Sequence, residues 1–88
     1  MVMYKLLLRK QARKDLELLR KAGLNKKAVE LKEILRLNPF QNPPAYEKMI
    51  YDGEVVYSRR INIQHRLVYK VCKEERLVQI LRLWTHYE

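Results

Sequence analysis

YSRRINIQHRLVY, residues 57–69, is the stretch whose reading decides the fold. It reads as two alternating strands around a short polar turn, yet it carries Arg59, Arg60, His65 and Arg66, none of which a hairpin needs. In the first strand Val55, Tyr57 and Ile61 share one face with Arg59; in the second, Leu67, Tyr69 and Val71 share one with His65. Those are the expected core faces. Arg60 and Arg66 fall on the opposite face. A three-residue loop, 62–64, sets Ile61 across from His65 and Arg60 across from Arg66, so that core faces and arginines both coincide. Two cations facing each other across a ladder repel by up to about 1 kcal/mol. An anion lying between them removes that cost, and the planar guanidinium fork suits phosphate oxygens two at a time. The expected anion is RNA.

On either side of the hairpin the chain reads as strand, two helices and more strands. Residues 3–8 form a first strand. From about residue 10, Ala12, Leu16, Leu19 and Ala22 recur at helical spacing, and Gly23 stops that helix. Asn25 is a capping residue for a second helix, with Leu24 stapled to Val29, and Asn38-Pro39 ends it. Residues 38–45, NPFQNPPA, are a loop by composition. Residues 46–51 form a short strand, Asp52-Gly53 is a turn, and strands follow over 55–62, 65–72 and 76–84. The expected fold is α+β in the order β-α-α-β-β-β-β, a helical hairpin on one face of a mostly antiparallel sheet. Its 88 residues make one domain, 1–88.

The net charge of +9 is uneven: residues 1–44 hold 11 Lys and Arg against 4 Asp and Glu, and residues 45–88 hold 8 against 6. Such an excess points to a polyanionic partner, nucleic acid or an acidic protein. Cys72 stands alone, without an intrachain disulfide partner or a metal-ligand spacing, and no cofactor or metal site is expected. The apolar run in MVMYKLLLRK is too short for a signal peptide or a membrane span, which gives a cytoplasmic expectation.

RNA can be cut through its own 2′-hydroxyl, a reaction that asks for a base, a cationic stabiliser and an acid. Arginines supply the second. A histidine suits the third, and His86 is the one that parity leaves off the core face. For the base, Glu47, Asp52 and Glu54 are equally placed. Trp84 and Tyr46 are candidates for stacking on bases, although single aromatics on strands more often pack in a core.

The combination S-R-R-I-N then H-R-L-V-Y from Ser58, followed by a closing strand and His86-Tyr87, with NPF at residues 38–40, resembles the YoeB/Txe toxins of the RelE superfamily. That resemblance implies a ribosome-dependent messenger-RNA endonuclease held in check by an antitoxin. It implies Glu47 as general base, Arg60 and Arg66 on the scissile phosphate, His86 as general acid and Tyr87 as the ring that orients the nucleotide. Lys48, Arg59 and Trp84 are added as RNA-binding candidates. The implied partners are an acidic antitoxin and messenger RNA on the ribosome, the basic helices meeting ribosomal RNA; a homodimer is compatible with it. The chain departs from the family by carrying Leu83-Trp84-Thr85 before His86 and by Lys48 beside Glu47. Two other readings use the same scaffold: a non-catalytic RNA-binding or complex-forming module, and a gyrase-poisoning toxin.

Overall fold

The computed structural model describes residues 3–84. The elements run β1 (Lys5–Leu8), α1 (Lys10–Lys21), α2 (Asn25–Leu37), β2 (Glu47–Tyr51), β3 (Glu54–Arg60), β4 (Arg66–Cys72) and β5 (Leu77–Arg82). They build one five-stranded sheet in the order β1-β5-β4-β3-β2. β1 runs parallel to β5, and every other pair is antiparallel.

α1 ends as its glycine dictates. Gly23 has φ +76°, the Leu24 N–H reaches the Leu19 carbonyl at 2.8 Å and the Gly23 N–H reaches Arg20 at 3.1 Å, the paired closure of a glycine-stopped helix. α2 then starts at once, with Leu24 in the capping position and no side-chain cap. The expected Asn25 cap is therefore not formed, because only three residues, 22–24, separate the two helices and Asn25 is already helical. Nor is the staple, since Leu24 packs into the core while Val29 is exposed.

Between helices and sheet lie Ala12, Leu19, Ala28, Leu31, Leu35, Ile61, Leu67, Tyr69, Val78, Ile80 and Leu83, all buried. The helices rest on β1 and β5. Val55, expected in the core, keeps the core-side parity of Tyr57 but sits beside the hairpin turn, away from the strands on which the helices rest, and is 44% exposed. Asp52 and Gly53 form that turn with φ +52° and +78°, the two-residue geometry whose twist matches the strands. The opposite face is not wholly polar: Val56, Val68 and Leu81, joined by Met49, make a second small apolar cluster. Val56 stands two residues from Ser58 and four from Arg60, so this cluster underlies the face that carries the arginines.

Candidate active site

The β3–β4 register pairs Arg60 with Arg66, Ser58 with Val68 and Tyr57 with Tyr69. The loop between them is 62–64. The Asn62 side-chain oxygen accepts from the Gln64 and His65 N–H groups at 2.9 and 2.7 Å, and the Ile61 N–H reaches the His65 carbonyl at 2.9 Å. Alternation then sends Arg60 and Arg66 out of the same face. β2 adds the carboxylate, because Glu47 pairs with Ser58 and so shares that face.

These residues line one open groove of about 440 Å³, walled by Tyr46, Glu47, Ser58, Arg60, Ile61, Ile63 and Arg66, with Lys27 reaching it from α2. Arg66 Nη1 lies 3.2 Å from Glu47 Oε1 and donates to Ser58 Oγ at 3.1 Å. The guanidinium is mostly covered and the carboxylate is two-thirds exposed. A mostly covered cation thus meets a solvent-facing carboxylate, with a second arginine in the same groove. Such a cleft can bind a phosphodiester and offer a proton acceptor to a hydroxyl beside it. Ser58 and Lys27 were not expected in it. Ser58 was legible two residues before Arg60 on the same face; Lys27 is brought in by the packing of α2, and nothing in its neighbourhood in sequence signals that.

Arg59 has another role. It is 1% exposed, and its guanidinium donates to the carbonyls of Pro44 (2.7 Å), Gln41 (2.8 Å) and Pro39 (3.0 Å) and to the Tyr69 hydroxyl (3.2 Å). It also lies 4.9 Å from the centre of the Tyr46 ring. The Tyr69 hydroxyl donates in turn to Pro39 at 2.8 Å. Burial pushes that phenol above its ordinary value of 10.0, which keeps it a donor. Arg59 is thus turned inward, away from any RNA at the surface: three of its four donations tie residues 39–44 onto the sheet, just before Glu47. Lys48 is exposed, pairs with Tyr57 and leaves the sheet on the face opposite Glu47. Trp84, two residues past the end of β5, stacks on His65 at 3.9 Å and packs on the core. His86 and Tyr87 lie outside the described residues.

Residues 9–87 match the model of a family described as the YoeB-like toxin of bacterial type II toxin-antitoxin systems. The chain belongs to that family.

The toxin resembles solved structures over nearly its whole length. One is a YoeB/ParE toxin from Agrobacterium tumefaciens, 26% identical with a TM-score of 0.81, covering 94% of this chain and 99% of that one. A second is the YoeB-YefM toxin-antitoxin complex from Staphylococcus aureus, 30% identical with a TM-score of 0.74, covering 98% and 100%. A third is the archaeal RelE-RelB complex from Pyrococcus horikoshii, at 26% and 0.76, covering 94% of each chain. No curated protein matches the toxin. Among its described residues no helix is long and apolar enough to cross a membrane.

One further charge in the toxin was not foreseen. Asp15 on α1 is 1% exposed; its carboxylate accepts from Arg82 Nε at 2.8 Å, the Leu83 N–H at 3.0 Å and Gln11 at 3.1 Å. Burial pushes this carboxyl up, but the bonds from Arg82, Leu83 and Gln11 outweigh it and hold the group below its ordinary value of 3.8.

Proposed function

We propose that this toxin is a ribosome-dependent messenger-RNA endonuclease that cuts by attack of the substrate's own 2′-hydroxyl. The observation that supports it best is the meeting of Glu47, Arg60 and Arg66 in one groove, with the carboxylate 3.2 Å from a guanidinium. In this reading Glu47 takes the 2′-hydroxyl proton, and the 2′-oxygen forms its bond to phosphorus. Arg60 and Arg66 meet the charge that gathers on the non-bridging oxygens, where fixed charges act without reorganising. As the bond from phosphorus to the 5′-oxygen breaks, His86 returns a proton to that oxygen and Tyr87 orients the nucleotide. The products are a 2′,3′-cyclic phosphate and a 5′-hydroxyl.

The whole chain, 1–88, acts as one domain in the cytoplasm. An acidic antitoxin covers its basic surface, as the Staphylococcus aureus relative is found with YefM in a heterotetramer. A toxin dimer is a further assembly, the Staphylococcus aureus YoeB having been solved as one.

The test is single-turnover cleavage on programmed ribosomes with end-group analysis of the fragments. Glu47→Gln and His86→Ala should each slow cleavage by roughly 10²–10⁴, and Arg66→Ala by about 10² or more. Ribosome affinity should change far less with Glu47 and His86. Fragments bearing 5′-phosphate and 3′-hydroxyl would overturn the mechanism.

A further inference from the structure

β5 carries an irregularity that redirects one arginine. Val78 and Ile80 lie in the core under the helices, and plain alternation would send Arg82 after them. Instead the β4–β5 register shifts: Tyr69 pairs with Ile80 and Val68 with Arg82, so Leu81 is the extra residue of a bulge. Leu81 joins the apolar cluster beneath the arginine face, and Arg82, across from Val68, comes out on that face beside it. Glu47, Ser58, Val68 and Arg82 thus form one row across β2, β3, β4 and β5. From Arg66 the step to Arg82 is one strand across, roughly 5 Å, and two residues along, roughly 7 Å.

Here lies a second hollow, of about 460 Å³, which Leu81 and Arg82 line together with Arg9, Lys10, Tyr51 and Asp52. Its cations are held in place without being neutralised alike. Arg9 gives Nε and Nη2 to Gln79 Oε1 at 2.9 and 2.6 Å, and this uncharged partner fixes the guanidinium while leaving its charge. Arg82 turns Nε to Asp15 and Nη2 to the Trp84 carbonyl, the Tyr51 hydroxyl engages it as well, and 31% of its side chain stays exposed. Lys10 is exposed. A further carboxylate in the hollow, Glu54, is taken by Lys70, which leaves Asp52 as the open acceptor. An acidic peptide would meet Asp52 along with the cations. A nucleotide gives each group a counterpart: a phosphate for the cations, a base face for the Tyr51 ring and an amino edge for Asp52.

We propose that this hollow is a second subsite for the same RNA strand, holding a nucleotide beside the one at the scissile phosphate: Arg82 and Lys10 meet its phosphate and the Tyr51 ring takes its base. The bulge in β5 makes the subsite, because it brings Arg82 onto the face of Arg60 and Arg66. The subsite deepens the nuclease reading and rests on it for any effect on cleavage, though not for RNA binding.

The experiment titrates the whole isotope-labelled toxin with a 2′-O-methyl tetra-adenylate, which has no 2′-hydroxyl to attack with, and follows the backbone amide signals. Those of Arg9, Lys10, Tyr51 and Arg82 should move together with those of Arg60 and Arg66. Tyr51→Leu should weaken binding about tenfold, the loss of one stacked base, with its salt dependence unchanged. Lys10→Gln should weaken it too and lower the slope of log affinity on log salt by about 0.7, the share of one phosphate contact on a single strand. Arg82→Gln tests the redirected arginine itself but leaves the buried Asp15 without its ion pair; should it fail to fold, the variants at the exposed Lys10 and Tyr51 decide. Signals in the hollow that stay still, or variants that bind as the wild type does, would overturn the proposal. So would a hollow that answers to poly-glutamate and not to RNA, which would make it a protein partner's surface. Single-turnover cleavage on programmed ribosomes keeps the two readings apart: a toxin that binds the tetranucleotide through the hollow yet cuts nothing sinks the nuclease reading and leaves the subsite standing.

Discussion

Arg59 and Arg60 are adjacent copies of one side chain with opposite fates, and alternation along β3 alone separates them. Arg59 faces the loop and is buried; Arg60 faces the groove and is exposed. Replacing Arg59 with leucine leaves the Gln41 and Pro44 carbonyls without their guanidinium partner. Unpaired buried acceptors cost about 1–3 kcal/mol each, and these two, being part-buried, fall at the low end of that range. The expected loss in urea denaturation is thus more than about 2 kcal/mol, with β2 and Glu47 displaced as well. Parity placed Arg59 on a core face, but the sequence does not show which carbonyls a loop will bring back to meet it. Asp15 escaped notice for the same reason, because its partners Arg82 and Leu83 lie 67 and 68 residues away. The depressed Asp15 pKa also sets a pH dependence. Unfolding raises that pKa to its ordinary value, so at acid pH the unfolded chain binds the extra proton. The stabilisation is fully present above about pH 4 and is lost as pH falls through the lower folded value. Urea midpoints measured from pH 7 down to pH 3 should show a steeper acid decline for the wild type than for Asp15→Asn.

At the scale of elements, the register of the central hairpin was legible because three constraints coincided: apolar parity on each strand, the arginine positions and a short Asn-led loop. The turn at Asp52-Gly53 and the stop at Gly23 were legible because each needs a backbone conformation that glycine favours. The start of α2 was not, since a residue suited to capping says nothing of how soon the preceding helix ends. The apolar cluster of Val56, Val68 and Leu81 was not legible because Arg60 and Arg66 share its face, which gives the strands a mixed pattern there. That cluster gives the arginines a firm floor, and their repulsion is then a cost the fold carries for its site. Arg60→Gln should raise stability by up to about 1 kcal/mol while slowing RNA cleavage. If the midpoint of denaturation falls instead, the facing pair is not the strain proposed here.

For the whole molecule, a charge of +9 sets up a field that would gather an acidic partner before any contact forms. Association with an acidic antitoxin should slow steeply between 50 and 500 mM salt, mostly in the on-rate, while dissociation changes little. Stopped-flow measurements across that range check it, and a salt-independent on-rate would mean that the basic surface is not what the partner reads.

The parallel pairing of β1 with β5 bears on how the toxin comes into being. β1 is made first, yet its ladder partner in the sheet is β5, made after every other element: Lys5 waits for Leu77 and Leu8 for Ile80. Contacts this distant in sequence form late and slowly. During translation the two helices and the β3–β4 hairpin can gather, but the sheet cannot be completed until residues 77–82 have emerged from the exit tunnel. Synthesis itself thereby sets a delay between making the arginine hairpin and completing the sheet that holds it.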